Sequence, residues 1–340
     1  MQARGSDADA DAEPKPEPVL YAVPRPMQAC TLIAHAKINL YLEILGSRPD
    51  GYSQVAMVLQ SIRLADRVEL KRCHHGIHLS CQHPQVPLDA TNLAYRAAEL
   101  LQKESHTTAG VDIHLEKHIP VAAGLAGGSA DAAAVLVGLN QLWGLGLTVA
   151  DLQTLAARLG SDVPFCVQGG TQLATGRGEI LEPLADWEGI PLLLAKPRYL
   201  QVSTAWAYQT FWSMQADKTL QPNPRASGLP QILTALEHRD LQALANSLRN
   251  DLEKPVLATH TVVAELRSAL CAAGALGSLM SGSGPTVFGI MPSLEQASQA
   301  GDRLRQQFQG VDFWATQTSP TGILLEPDPQ LLSFPSISAG

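Results

Sequence analysis

The sequence lacks an excess of positive charge. Its 340 residues carry 24 Lys and Arg against 32 Asp and Glu, a formal net charge of −8. A protein that wraps nucleic acid presents a basic face that neutralises phosphates, so this balance argues against that class, and any phosphate must be gripped locally. Also missing is an apolar run approaching the roughly 20 residues a membrane span requires. That absence predicts a soluble, cytoplasmic protein without a membrane partner. The five cysteines, Cys30, Cys73, Cys81, Cys166 and Cys271, are odd in number and scattered. They have neither the density of a secreted disulfide scaffold nor the spacing of a metal site. They read as reduced thiols, no metal ligands are assigned, and no internal repeat is visible.

Composition shifts at both ends. In residues 1–27, Asp7, Asp9, Asp11, Glu13 and Glu17 are interleaved with Pro14, Pro16, Pro18, Pro24 and Pro26. Too little apolar surface is present to offset the entropy of ordering, which predicts a disordered acidic arm. The arm has neither the Arg- and Ser-rich, acid-poor character of a transit peptide nor the apolar segment of a secretory signal. Residues 321–340 read as a flexible tail, rich in Pro and Ser beyond Glu326. Between the ends, a hydrophobic content of 45% is enough for a substantial core. Two domains are expected, at 28–185 and 186–320.

Periodicity predicts strands at 31–45, 68–70, 77–79 and 111–115, and helices at 92–103, 129–143 and, after a cap at Thr148, 152–159. The apolar segments 163–167, 171–174 and 192–194 read as buried strands. Helices follow at 205–212, 240–248 and 261–272, then strands at 276–280 and 286–290, a helix at 294–307 and a strand at 311–316. Mixed α+β layers in two lobes are implied.

The strongest local signal is Pro120-Val-Ala-Ala-Gly-Leu-Ala-Gly-Gly-Ser-Ala-Asp131. A strand enters it and an alanine-rich helix leaves it. Small residues let the backbone approach a ligand, and the helix N-terminus presents free N–H groups and the positive end of its dipole, so the segment suits an anion. No Gly-Lys-Ser/Thr follows, as the common phosphate loop requires, and the spacing is wrong for a dinucleotide fingerprint. A plain strand-to-helix turn would look similar. In Ala34-His-Ala-Lys-Ile-Asn-Leu40, Lys37 and Asn39 lie two apart on one face of an apolar strand. They form either an inward polar pair or a solvated edge with a gatekeeper lysine. In Gly160-Ser-Asp-Val-Pro-Phe165, Asp162 sits in a turn before an apolar segment, where an aspartate is ordinarily a cap.

These segments, in this order and with the late Ser281-Gly-Ser-Gly-Pro-Thr-Val-Phe288 loop, resemble the GHMP kinases, the superfamily named for galactokinase, homoserine kinase, mevalonate kinase and phosphomevalonate kinase. The likeness spans about residues 30–320. Arg48-Pro-Asp-Gly-Tyr52 and 117–178 are especially similar to the branch that phosphorylates a cytidine diphosphate ester in the non-mevalonate isoprenoid route. The resemblance implies a two-lobed α+β fold, with a ribosomal-protein-S5-like N-terminal lobe and a ferredoxin-like C-terminal lobe. It implies ATP and Mg²⁺ as cofactors, the cytidine diphosphate ester as small-molecule partner, and a monomer or weak homodimer. By the same resemblance Asp162 is the catalytic aspartate and Lys37 its paired lysine. The nucleotide lies on Pro120, Ala122, Ala123, Gly124, Leu125, Ala126, Gly127, Gly128, Ser129 and Ala130, near Asn92, with Ser129 reaching an oxygen or the metal. Asn39, Tyr52, Ser53, Thr204 and Tyr208 face the substrate, Tyr52 and Tyr208 as an aromatic sandwich for the base. Ala122 and Ala123 stand where some members have glycines. Ser53 stands where the branch commonly has a histidine that reads cytosine. A kinase for another alcohol, and a non-catalytic nucleotide-binding relative, are the competing readings.

Overall fold

In chain order the elements are β1 (Ala29–Ser47), β2 (Ser53–Cys73), β3 (Ile77–Cys81), α1 (Leu93–Ser105), β4 (Gly110–Glu116), α2 (Gly127–Trp143), α3 (Val149–Ala156), α4 (Val163–Gln168), β5 (Thr171–Thr175) and β6 (Ile180–Pro183). There follow β7 (Pro191–Pro197), α5 (Thr204–Ala216), α6 (Leu229–Glu237), α7 (Leu241–Asn246), β8 (Arg249–Asn250), α8 (Glu253–Thr259) and α9 (Thr261–Ala272). The chain ends in β9 (Gly277–Met280), β10 (Val287–Ile290), α10 (Leu294–Gln307), β11 (Val311–Gln317) and β12 (Ile323–Leu325). This is a computed structural model and describes residues 27–216 and 227–326. The acidic arm up to residue 26 and the tail after Glu326 lie outside the described residues.

An eight-stranded sheet runs in the order β12-β1-β2-β4-β3, with β5 and then β6 continuing from β2, and β8 beside β1. A second, four-stranded antiparallel sheet runs β11-β7-β10-β9. The alanine-rich α2 is buried almost throughout. It lies so close on the first sheet that a Cβ at Gly138 would come within 2.4 Å of Leu70 and 2.7 Å of Leu32. Small residues along α2 are therefore what let the loop before it be held rigidly against the sheet.

Three readings are corrected. The apolar segment 163–167 is the helix α4, not a strand. A short apolar run does not distinguish the two, and Pro164 at the start of the helix costs nothing because the first-turn N–H groups have no intrahelical acceptor. β2 is far longer than 68–70, because the buried polar residues Gln60 and Ser61 interrupt its apolar pattern without ending it. Residues 321–326 belong to the fold and not to a tail: β12 pairs with β1 through Leu32↔Leu325 and Ala34↔Ile323. At the other end Met27, counted with the arm, packs on the core.

The base of the loop between β4 and α2 is fixed by a buried charge cluster. Asp66 on β2 accepts the backbone N–H groups of His118 at 2.6 Å and Ile119 at 2.8 Å. Lys117 donates to Asp66 and, at 2.6 Å, to Asp131 of α2. All three side chains are at most 4% exposed. Burial disfavours the Lys117 ammonium, but Asp131 and Asp66 together outweigh it and hold its pKa above the ordinary lysine value. Two carboxylates share one cation, and the proton belongs on the less satisfied of them. That is Asp131, whose Oδ1 has no partner, whereas Asp66 is bound by two backbone amides. Burial, with repulsion from Asp66, pushes Asp131 from 3.8 up to about 7, against the pull of Lys117.

Below pH 3.8 this carboxyl is protonated in both folded and unfolded chains; between 3.8 and about 7 only the folded chain keeps the proton. Its contribution to stability therefore declines as pH rises through that window and is level above it. Asp131→Asn cannot titrate and is expected to lack the decline. Urea unfolding of both proteins should give a wild-type-minus-variant stability that falls across the window, and a difference that is flat or rises with pH overturns the assignment.

Candidate active site

Register shifts in β1 between His35 and Ala36 and between Asn39 and Tyr41 flank the segment that carries the polar pair. Such bulges re-aim side chains without ending the strand. Lys37 and Asn39 are both buried, so the reading of a solvated edge does not hold. Lys37 Nζ donates to Asn39 Oδ1 at 2.7 Å and lies 3.7 Å from Asp162 Oδ2. Its backbone N–H donates to the Leu125 carbonyl at 3.1 Å, which ties β1 to the glycine-rich loop.

Asp162 occupies the N-cap position of α4 yet makes no side-chain cap hydrogen bond. Asn92, Thr148, Asp240 and Ser293, by contrast, all spend their side chains capping α1, α3, α7 and α10. The Asp162 carboxylate is 37% exposed and has Lys37 as its ion-pair partner. It is a partly exposed carboxylate, not spent on the helix, beside a buried cation.

The loop 120–130 is shaped for close approach. Ala122, Gly124 and Ala126 adopt left-handed backbone with φ of 52°, 75° and 58°. Alanine is uncommon there, and such strain concentrates at ligand sites. A Cβ at Gly124 would come within 2.4 Å of the Ser281 carbonyl, so only glycine fits. Ala126 is the N-cap of α2 and supplies no side-chain bond. The N–H groups of Gly127, Gly128 and Ser129 in its first turn are thus the orphan donors of an uncapped helix. A Cβ at Gly128 would meet nothing within 4 Å, whereas one at Gly127 would press on Ile119 at 3.0 Å. Gly128 therefore faces open space beside the first turn of α2. Pro120 starts the loop, and buried Ala123, Leu125 and Ala130 anchor it to the core.

The loop 281–286 from the second sheet closes the other side. Ser281 Oγ donates to the Gly124 carbonyl at 3.1 Å and accepts the Asn39 N–H at 3.4 Å. Gly282, at φ 57°, would place a Cβ 3.3 Å from Asn39 Oδ1 and 3.6 Å from Lys37 Nζ. Asn250 Nδ2 holds this loop through the Met280 carbonyl at 2.8 Å and the Gly282 carbonyl at 2.7 Å. The Thr204 and Ser283 hydroxyls lie 2.9 Å apart, which joins α5 to it.

Tyr208 and Trp212 lie one turn apart on α5. Burial, with the charges of Asp162 and Asp251, pushes the Tyr208 phenol well above the ordinary range. The indole N–H of Trp212 donates to Ser53 Oγ at 3.0 Å. Tyr52 is exposed, and the Arg177 guanidinium sits 4.7 Å from its ring centre, so one face of that ring is already covered. Asn92 is not shown at the site. Its Oδ1 caps α1 by accepting the Ala94 N–H, and its Nδ2 donates to the Pro87 carbonyl. Sequence reasoning missed Lys117, Arg177, Trp212 and Asn250. Each acts through a partner remote in the chain, and only Lys117, in the segment leading into the loop, stood near a recognisable motif.

Two family models match, GHMP kinases N terminal domain over residues 92–170 and GHMP kinases C terminal over residues 232–310. A protein of Synechococcus sp. (strain JA-2-3B'a(2-13)), named 4-diphosphocytidyl-2-C-methyl-D-erythritol kinase, is 74% identical over 309 residues, which are 90% of this chain and 99% of that protein. A crystal structure of a 4-(cytidine 5'-diphospho)-2C-methyl-D-erythritol kinase superposes with a TM-score of 0.71 at 35% identity, over 85% of this chain and 99% of the other. Homoserine kinase from Cytophaga hutchinsonii gives 0.73 at 19% identity, over 90% and 99%, a likeness of fold alone. At 74% identity over 90% of its length, and with both family models matched, the chain belongs to the 4-diphosphocytidyl-2-C-methyl-D-erythritol kinases, within the GHMP kinase family.

Proposed function

We propose that the protein transfers the γ-phosphate of ATP to the 2-hydroxyl of 4-diphosphocytidyl-2-C-methyl-D-erythritol. The observation that carries this reading is the buried Lys37, set between Asn39 and the uncapped Asp162 and tied by its backbone to the loop of α2. Asp162 accepts the hydroxyl proton or aims the lone pair of the oxygen in line with the phosphorus. Lys37 orients that carboxylate, and its remaining donor faces the charge that develops on the transferring group. The nucleotide phosphates rest on the N–H groups of Gly127, Gly128 and Ser129. Phosphate and hydroxyl oxygens suit a hard cation: Mg²⁺ would be held by the phosphates and the Ser129 hydroxyl and would neutralise phosphate charge. A nucleotide-binding relative without activity has no need of a carboxylate withheld from its helix cap.

Asp162→Asn is expected to lower turnover by roughly 10²- to 10⁴-fold with little change in ATP affinity. Lys37→Ala acts on the same step, so the double variant should be far less than multiplicatively worse. Steady-state phosphorylation measured by phosphorus NMR, with calorimetric ATP titration, checks both; near-normal turnover in Asp162→Asn would remove the aspartate from the mechanism.

The phosphate cradle is tested at Gly128, where an added methyl meets no protein atom within 4 Å. Gly128→Ala should keep the wild-type melting temperature and yet bind ATP at least about tenfold more weakly, because the methyl occupies the phosphate position. Unchanged affinity in the folded variant sinks the cradle.

The base pocket rests on Ser53. Trp212 donates into the serine oxygen, which leaves the hydroxyl proton to be directed outward. An outward O–H suits the acceptor N3 and O2 of cytosine and opposes the N3–H of uracil, so the indole sets the polarity by which a serine can choose cytidine. Stacking on Tyr208 is indifferent to the choice. Trp212→Phe should therefore lower the cytidine-to-uridine ratio of kcat/KM by about 5- to 10-fold, the loss of roughly one hydrogen bond. Tyr208→Ala should weaken both substrates about equally. A ratio unmoved by Trp212→Phe places base readout elsewhere.

A further inference from the structure

Residues 73–83 read Cys-His-His-Gly-Ile-His-Leu-Ser-Cys-Gln-His, so four of the chain's ten histidines and two of its five cysteines fall in one short stretch. Phosphoryl transfer uses none of them. β2 ends at Cys73, the chain passes over the start of β4 through 74–76, and β3 returns along the other flank of β4. The turn closes down on Gly110, where a Cβ would come within 2.6 Å of the His75 backbone and 2.7 Å of Cys73 Sγ. Register sets Asp112 of β4 opposite Lys71 on one side and His78 on the other. His78 Nδ1 lies 2.8 Å from Asp112 Oδ1. Among the described residues this is the one group of three potential ligands of mixed type: a thiol, an imidazole and a carboxylate whose ligating atoms all lie within 4.8 Å of one another. Cys81 alternates to the opposite face of β3, with Ile77 and Leu79 against the core, and takes no part. Scattered in the sequence, the cysteines show no ligand spacing; the missing ligands come from a neighbouring strand.

We propose that Cys73, His78 and Asp112 form a three-ligand site for a zinc-type divalent cation, with a fourth position open to water. A tetrahedral zinc bonds sulfur at about 2.3 Å, imidazole nitrogen at about 2.0–2.1 Å and carboxylate oxygen at about 2.0–2.2 Å. Ligand atoms around it are then separated by about 3.3–3.6 Å, so the cluster closes by side-chain rotation. The thiol proton leaves to solvent as the sulfur–metal bond forms. A soft thiolate beside an imidazole selects zinc over magnesium, which prefers all-oxygen shells. Lys71 shares the face and opposes the cation by its charge, so affinity depends on all three ligands together. Such a site clips the edge strand β3 to β4 and to the end of β2 and leaves the cleft untouched.

Tag-free, full-length protein kept reduced in magnesium-free buffer is titrated with Co²⁺ as a spectroscopic stand-in. One equivalent is expected to bind, with a thiolate-to-cobalt charge-transfer band that Zn²⁺ bleaches. Cys73→Ser should abolish the band, and Cys81→Ser and Cys271→Ser should keep it. The His78 side chain is 68% exposed, so His78→Ala tests the site without loading the fold; it should weaken Co²⁺ at least ~10-fold. Melting curves followed by circular dichroism confirm that each variant is folded. The absence of a thiolate band in wild type, a band that survives Cys73→Ser, or Co²⁺ affinity unmoved by His78→Ala each overturns the proposal.

Discussion

An anion can use a helix N-terminus only where the N–H groups are unpaired and cannot move, and these demands pull against each other. Proteins ordinarily satisfy the orphan donors with a side chain, as Thr148 and Ser293 do here for α3 and α10. At α2 the cap is an alanine in left-handed conformation, and rigidity comes from beneath. Lys117, clamped between Asp66 and Asp131, sits 3.4 Å from where a Gly127 Cβ would lie. A buried ion cluster is weak evidence of stability, because desolvation offsets most of the attraction. Its use here is positional: Asp66 also takes the backbone N–H groups of His118 and Ile119, and so fixes the chain at the point where it enters the loop.

Geometry above the loop depends on contact between the two sheets. Gly124 lies against the Ser281 and Gly284 carbonyls, and Gly282 lies against Lys37 and Asn39, so side chains at these glycines would separate the layers. Lys37 has three donors, of which Asn39 takes one at 2.7 Å and Asp162 attracts another from 3.7 Å. The looser pairing leaves Asp162 beside the cation without a short hydrogen bond to it.

What was legible in the sequence was local. The helix cap at Thr148, the alternation of 111–115 and the small-residue stretch before α2 each depend on neighbours within a few positions, and each is found in place. The misreadings arose where long-range packing decides. Five apolar residues at 163–167 are equally suited to a strand and to a helix, and only packing on α2 and α3 selects the helix. β12 is a strand because Gly322 fits where a Cβ would lie 2.1 Å from the Cys166 carbonyl, a constraint set more than a hundred residues away. The pairings of Lys117 with Asp66, and of Ser53 with Trp212, are of the same kind.

The role of a polar residue is likewise set by what its atoms are already bound to. Asn92 matches a nucleotide-side position by family resemblance, but both ends of its amide are engaged by the chain, in a helix cap and at a carbonyl. Asp162 has the sequence setting of an ordinary cap and caps nothing, so its carboxylate is not spent on the helix. Ser53 follows the same logic one step further. Alone, a hydroxyl is both donor and acceptor and distinguishes cytosine from uracil poorly. With an indole N–H fixed on its oxygen it is biased to donate, and a helix of the second half of the chain supplies that bias.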